Sequence, residues 1–314
     1  MSDRKKVLIT GGAGFIGAAL TRKLLLKGFE PHLFLRKPTN LWRIKDLLSQ
    51  INFYNVDLLD KLKVEKTVKK INPFAIFHLA TYSSYRDQLE YEKIIQTNIK
   101  GTLNLLSTSK DISYELFVNT GSSSEYGIKN FPMKEDDSLE PISFYAAAKA
   151  GATYICKVFA LEFNKPIVTL RPFSVYGPYE ADDRLIPTVI KALINNETIK
   201  LTDGNKRWDF VYIDDVVDAY IKSLEKKSKI SGQVLNIGTG LEYTNEEIVK
   251  ILFKVSGKKA RIEKDAFPKR LWDNPHWVSD TSLTKRVMGW ESKTSLQEGL
   301  KKTYEWFEKN QIQY

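Results

Sequence analysis

Val7-Leu8-Ile9-Thr10-Gly11-Gly12-Ala13-Gly14-Phe15-Ile16-Gly17 is the stretch that decides the fold. Four β-capable residues read as a short buried strand. Gly11, Gly14 and Gly17 then permit a tight turn, close approach of a pyrophosphate and close packing of the helix that opens near Phe15 and Ile16. The N-terminus of that helix offers free N–H groups and a positive dipole end to the phosphate. Glycines spaced in this way also punctuate ordinary turns. Here they follow a strand, open an amphipathic segment (Leu20, Leu24, Leu25) and lead to a second strand at Pro31–Leu35, which is the context of a dinucleotide-binding unit.

Around this unit lie 314 residues, enough to bury a full α/β core in one large domain or two closely joined ones. The 42% hydrophobic and 27% charged content is that of an ordinary globular chain and does not indicate disorder. No apolar run is long enough to cross a bilayer, and Met-Ser-Asp-Arg-Lys-Lys is not followed by a signal-peptide apolar stretch, so a cytoplasmic location and no membrane contact are expected. Cys156 is the single cysteine, which excludes an internal disulfide and a cysteine-based metal cluster. Its helical neighbours Ile155, Val158 and Phe159 make it a core filler, and no metal site is expected. The net charge of +10 raises the question of nucleic acid. Lysines such as Lys61, Lys63, Lys66, Lys69 and Lys70 are scattered along helix faces and alternate with acids, so a solvated surface is the reading and no nucleic-acid partner is expected. A positive field still raises the encounter rate of a polyanionic nucleotide.

Strands and helices alternate through the first half, the pattern of a doubly wound parallel α/β sheet. Strands are expected at Leu33–Leu35, Asn52–Val56, Phe74–His78 and Leu116–Asn119, with a helix over Lys61–Lys70 and a long one over Leu89–Thr108. In such a sheet the loops at strand C-termini form the ligand crevice, so Gly11–Gly17, Arg36, Asp57, Leu79–Ser84 and Ser122–Tyr126 should face one site. Tyr145 and Lys149 stand four apart among helix formers (Ala146, Ala147, Ala148, Ala150), on one face and about one turn apart. An ammonium near a phenol favours phenolate and makes the tyrosine a usable proton donor and acceptor. Taken alone, the pair reads equally well as an exposed helix face.

With Ser122 added, the order of features resembles the extended short-chain dehydrogenase/reductases of the NAD-dependent epimerase/dehydratase family that act on nucleotide sugars. The resemblance runs over nearly the whole chain. It implies a Rossmann domain over residues 1–178, completed by about 206–236, and a smaller, interwoven substrate domain over 179–314. It implies Ser122, Tyr145 and Lys149 as the catalytic set. Asp57-Leu58 matches the pair at the adenine, Asn98 the helix asparagine that orders the active site, and Leu170-Arg171-Pro172-Phe173-Ser174-Val175-Tyr176-Gly177-Pro178 the strand and turn after the catalytic helix. Cofactor contacts are implied for Gly11, Gly14, Phe15, Ile16, Gly17, Leu58, Leu79, Ala80, Thr81, Asn98, Tyr145, Lys149 and Pro172, and substrate contacts for Ser83, Ser123 and Ser174. A homodimer is expected, with Tyr154, Ile155 and Phe159 on the helix of Tyr145 and Leu89, Ile94 and Leu105 on the helix before it as candidate patches.

Two departures shape the expected chemistry. Family members carry an arginine where this chain has Trp208, before Asp209-Phe210; Arg207 is displaced by one, onto the opposite side of a strand. Arg270 and Arg184 are therefore the further candidates for the substrate pyrophosphate, because a guanidinium pairs with phosphate bidentately. Dehydratases of the group carry an Asp-Glu pair directly after the catalytic Ser or Thr, whereas Ser123 and Ser124 stand here and Glu125 comes one place late, which disfavours elimination. The run Gly121–Gly127 is similar to that of GDP-4-keto-6-deoxymannose reductases, and His78-Leu79-Ala80-Thr81 and Val118-Asn119-Thr120 to CDP-abequose synthases. The resemblance thus implies a 4-ketoreductase of a nucleotide-linked 4-keto-6-deoxyhexose, with a nucleotide-sugar 4-epimerase as the alternative. Arg36-Lys37 ends the second strand where an NAD-preferring member has an acid, so NADP(H) is the expected cofactor, with NAD as the other.

Overall fold

The computed structural model describes residues 4–82, 90–202, 206–264, 266 and 276–310. Strands β1 (Lys6–Thr10), β2 (Glu30–Leu35), β3 (Asn52–Asn55), β4 (Ala75–His78), β5 (Leu116–Thr120) and β6 (Ile167–Pro172) alternate with helices α1 (Phe15–Leu26), α2 (Lys61–Ile71), α3 (Tyr91–Ile95), α4 (Gly101–Ser109) and α5 (Phe144–Glu162). The chain continues through β7 (Ser174–Tyr176), α6 (Leu185–Asn195), β8 (Ile199–Lys200), β9 (Arg207–Trp208), β10 (Phe210–Tyr212), α7 (Ile213–Glu225), α8 (Lys227–Ile230) and β11 (Val234–Ile237). It closes with β12 (Tyr243–Thr244), α9 (Asn245–Ser256), β13 (Ile262–Glu263), α10 (Ser282–Met288) and α11 (Leu296–Lys309). Seven of the described strands form one sheet in the order β11-β6-β5-β4-β1-β2-β3, paired in parallel throughout.

A parallel sheet is covered on both faces, which is why its strands are apolar almost without interruption. Val7 and Ile9 of β1 join one core with Leu20 of α1, Ile186 of α6, Val216 of α7, Ile248 of α9 and Leu300 of α11. Leu8 between them joins the other, with Val64 of α2, Leu105 of α4 and Cys156 of α5. Cys156 is therefore the core filler its neighbours suggest, and burial pushes its thiol up to about 12. Among the described residues no helix is long and apolar enough to cross a membrane.

The strand order reverses between β1 and β4, and this switch point opens a crevice at the strand C-termini. Register levels that edge: Thr10 lies opposite both Phe34 and His78, and His78 opposite Asn119. The loops expected to share one site therefore leave the sheet side by side.

Two elements differ from the expected ones. The long helix is broken by a π-helical turn at Gln96–Lys100, between α3 and α4, which carries Asn98 inward and buries it. One extra residue per turn is invisible to a 3.6-residue pattern, and such bulges gather at functional sites. The turn also re-sorts the apolar residues: Ile94 and Leu105, expected on a partner-facing patch, are core, while Ile95 and Leu103 are exposed. Leu89 lies outside the described residues. The strand expected at Arg207 and Trp208 stops short at Asp209, whose buried carboxylate accepts hydrogen bonds from the N–H groups of Thr239, Gly240 and Ser279 and from the Thr239 and Ser279 hydroxyls. These partners come from the loop after β11 and the segment before α10, so the break is set by tertiary contact.

Candidate active site

Gly11 has φ +71°, and a Cβ there would stand 2.7 Å from the Leu79 carbonyl carbon and the Ala80 nitrogen. The glycine turn thus lies directly on the backbone leaving β4. A Cβ at Gly17 would stand 2.2 Å from the Gly11 oxygen, so α1 can pack on the turn only through glycine. Gly14 donates its N–H to Gly11 O at 2.9 Å. Helix α1 then opens at Phe15 with no side-chain cap and no acidic residue in its first turn. The N–H groups of its first turn meet no competing carboxylate, and these residues fit the pyrophosphate of a dinucleotide. Gly12, which the spacing argument passed over, is packed against the Leu33 side chain, 2.7 Å from where its Cβ would be. Arg36 and Lys37 are exposed at the exit of β2. Asp57 accepts the Leu59 N–H at 2.9 Å, while the Leu58 side chain is buried in the second core.

Ser122 leaves β5 as the cap of a short 3₁₀ turn, Ser123–Tyr126. Its Oγ accepts the Ser124 N–H at 3.2 Å and pairs with Ser124 Oγ at 2.7 Å, and its own N–H donates to Glu125 Oε1 at 2.7 Å, a capping box. Helix α5 is capped in turn by Ser143, which accepts the Ala146 N–H at 3.1 Å and fixes the first turn that carries Tyr145. Burial pushes the Tyr145 phenol up; hydrogen bonding with Ser122 and Thr81 and the charge of Arg184 oppose it, and the charge of Glu125 reinforces it. The structure therefore brings Ser122 and Thr81 to the Tyr145 hydroxyl, with Arg184 near enough for its charge to act there. Lys149, one turn along α5, is buried. Its ammonium donates to the Thr120 carbonyl at the end of β5, and burial holds its own pKa down.

Behind these groups runs a directed hydrogen-bond chain that sequence reasoning did not foresee. Ala80 N–H donates to Thr10 Oγ1 at 3.1 Å, Thr10 and His78 Nδ1 are 2.7 Å apart, His78 Nε2 and Thr102 Oγ1 2.9 Å, and Thr102 Oγ1 donates to Asn98 O at 2.7 Å. Thr102 spends its own proton on Asn98 O and so accepts from His78, which puts a proton on Nε2; with the ring neutral, Nδ1 accepts the Thr10 hydroxyl. Burial and the nearby Lys149 push its pKa down to about 3. Asn98 Oδ1 accepts the Tyr82 N–H at 2.8 Å and the Thr81 hydroxyl at 3.1 Å, and its amide donates to Tyr82 O at 2.9 Å. The π-helical asparagine thus orders the loop after β4, and through Thr81 it reaches Tyr145.

On the substrate side, Ser123 Oγ accepts the indole N–H of Trp277 at 2.9 Å, and Trp277 lies 5.8 Å from Trp208, ring to ring. Trp208 thus fills the place of the family arginine with an aromatic surface. Arg207, on the other side of β9, faces Glu242 and Glu247 at 3.8 and 3.9 Å. Ser174 opens β7 and donates its N–H to Asp209 O at 2.9 Å, and Pro172 is buried at the end of β6. Ser83 and Arg270 lie outside the described residues. Trp277 carries no motif of its own, and its pairing with Ser123 across 154 residues leaves no signal in the sequence.

A doubly wound parallel sheet with a glycine turn fitted to a dinucleotide at its switch point defines a Rossmann-type nucleotide-binding fold. The family model "NAD dependent epimerase/dehydratase family" matches residues 7–238, and the chain belongs to that family. It is 33% identical to UDP-glucuronate 4-epimerase of Thermodesulfobacterium geofontis, covering 96% of each chain. Among solved structures it is similar to UDP-glucose 4-epimerase of Thermotoga maritima with UDP-glucose, at 30% identity and a TM-score of 0.89, covering 98% of this chain and 99% of that one. It is also similar to UDP-glucuronic acid 4-epimerase of Bacillus cereus in complex with UDP-glucuronic acid and NAD, at 29% identity and a TM-score of 0.87, covering 97% and 99%.

Proposed function

We propose that the protein is a nucleotide-sugar 4-epimerase that works with bound NAD. What carries this reading is the likeness to 4-epimerases over nearly the whole of both chains. The site agrees with it. Tyr145 moves the proton at the sugar C4 oxygen, in one direction on oxidation and in the other on reduction, and Ser122 hydrogen-bonds the same oxygen as charge develops there. NAD, when bound, supplies the hydride acceptor and then the donor for that carbon. Gly11, Gly14, Phe15, Ile16 and Gly17 would hold its pyrophosphate, Asp57 and Leu58 would meet its adenine, Leu79, Ala80, Thr81, Asn98 and Pro172 would hold the nicotinamide half, and Lys149 the ribose. Arg184, whose charge already reaches Tyr145, is the arginine best suited to the substrate phosphates. The elements after Pro178 form most of the substrate lobe, and the outer faces of α3, α4 and α5 pair two copies. Elimination is not part of the reading, because the carboxylate of Glu125 is already engaged by Ser122 and Arg171.

One observation favours a second reading. Arg36 and Lys37 stand where an acid would receive the adenosine ribose of NAD, and they suit the 2′-phosphate of NADP. An NADPH-dependent 4-ketoreductase acting on a nucleotide-linked 4-keto-6-deoxyhexose would use the same Ser122, Tyr145 and Lys149. Incubation with UDP-glucose, UDP-glucuronate and nucleotide 4-keto-6-deoxyhexoses, each with NAD, NADH, NADP and NADPH, separates the two. Epimerisation gives the C4 epimer with no net change in nicotinamide, while ketoreduction consumes one reduced nicotinamide per product.

A further inference from the structure

Glu125 and Arg171 of β6 are both buried, at 0% and 2% side-chain exposure, and Arg171 Nε donates to Glu125 Oε2 at 2.9 Å. A buried ion pair costs much to desolvate and is weak evidence for stability, so its position calls for a reason. The other oxygen, Oε1, accepts the Ser122 N–H at 2.7 Å. Gly121 leaves it room: a Cβ there would stand 2.7 Å from Glu125 Oε1 and 2.9 Å from Arg171 Cγ. The guanidinium carbon lies 4.7 Å from the Tyr126 ring centroid, and the Tyr126 hydroxyl donates to Asn236 Oδ1 of β11 at 2.7 Å. The turn that carries Ser122 is therefore pinned to β6 through one carboxylate and its partner, and to β11 through the Tyr126 hydroxyl.

We propose that Glu125 is a positioning residue of this turn: held by Arg171, its carboxylate fixes the Ser122 backbone, and with it the Ser122 hydroxyl against Tyr145, and sets one buried negative charge within electrostatic reach of Tyr145 and Lys149. The inference rests on Ser122, Tyr145 and Lys149 being the reacting set. A nearby negative charge disfavours phenolate and favours ammonium, so Glu125 acts to raise both pKa values, adding to burial at Tyr145 and opposing it at Lys149. Tyr145 is otherwise faced by Ser122, Thr81, Arg184 and the Tyr220 phenol, and Lys149 by the Thr120 carbonyl, His78 and the neutral thiol of Cys156. The charge of Glu125 reaches both groups and favours phenol at Tyr145 and ammonium at Lys149.

Ultraviolet difference titration of tyrosinate, parent minus Tyr145→Phe, isolates the ionisation of Tyr145. The same difference is measured in Glu125→Gln, whose amide oxygen still accepts the Ser122 N–H. Tyr145 is expected to ionise at lower pH in the Glu125→Gln background while the circular dichroism stays native. A role confined to packing leaves the titration in place. An unmoved Tyr145 signal, including one that is silent in both backgrounds up to alkaline unfolding, overturns the proposal. Should Glu125→Gln fail to fold around an unpaired Arg171, Glu125→Gln with Arg171→Met removes both charges and carries the same measurement with the same two outcomes. Turnover of Tyr145→Phe is read separately: activity retained there removes Tyr145 from the chemistry, whereas the titration judges Glu125 alone.

Discussion

Tyr145 sits where three loops deliver a hydroxyl or a charge to one phenol, and replacing it by phenylalanine removes the proton-transfer group while keeping the ring. Turnover of Tyr145→Phe is expected to fall by roughly 100- to 10,000-fold, with NAD affinity by calorimetry nearly unchanged; comparable turnover in the variant would move the chemistry elsewhere. His78 offers a stability test. It is neutral in the fold, with a pKa near 3, whereas the unfolded chain takes up a proton at this residue below its ordinary value of 6.5. The unfolded state therefore binds more protons between those limits, and the stability this creates is present above 6.5 and lost as pH falls toward 3. Urea unfolding should report about 2 kcal/mol lost from this residue between about pH 6 and about pH 4.5, on top of the carboxylate background, and His78→Gln should lack that part of the slope. Equal slopes in parent and variant would remove His78 as the source. At this scale the sequence disclosed the residues that carry a motif, Ser122, Tyr145 and Lys149 among them. It could not disclose the partners that hold them, because Arg171 and Trp277 meet the catalytic turn only through tertiary folding.

The β1–α1 junction was legible because its constraint is local: a strand, a turn and a helix within a dozen residues, with Gly11 in the turn and Gly17 in the helix required for reasons of space. Gly17→Ala tests that constraint. Its methyl would press on the Gly11 carbonyl, so the variant should lose about 1–3 kcal/mol of stability in thermal melts and bind NAD poorly by fluorescence titration. A variant of parental stability and affinity would mean that the turn tolerates a side chain. Helix α5 was legible for the same local reason, its alanine run and the Tyr145–Lys149 spacing. The π-helical turn at Asn98 and the break at Asp209 were not. Each spends regular backbone pairing to satisfy a buried polar side chain, and the partners, Tyr82 in one case and Thr239, Gly240 and Ser279 in the other, lie in loops with no periodicity to read. The direction of the Lys149 ammonium belongs to the same class, since a long side chain can reach the Thr120 carbonyl as easily as a residue on its own helix.

At the scale of the whole molecule, the doubly wound parallel sheet, the position of the crevice and membership in the family followed from the alternation of elements and the order of motifs. The proposed pairing of two copies rests on surface chemistry. Tyr154, Val158 and Leu161 of α5 are exposed, as are Tyr91 and Ile95 of α3 and Leu103 of α4, and together they give helices that are otherwise core-forming an apolar outer side. Sedimentation at micromolar concentration should give a dimer, and Leu161→Asp with Tyr154→Asp a monomer that keeps its fold; a parental monomer would refute the pairing. Reductase and epimerase share the fold and the catalytic set, so motif order could not separate them, and the exposed Arg36-Lys37 exit still pulls toward NADPH. The fate of the hydride separates them most directly. Proton NMR of a nucleoside-diphosphate hexose incubated with catalytic protein and NAD is predicted to reveal the C4 epimer growing to equilibrium with no accumulation of NADH. No epimer from any hexose in the panel, together with one NADPH consumed for each molecule of a 4-keto-6-deoxyhexose nucleotide reduced, would contradict the account.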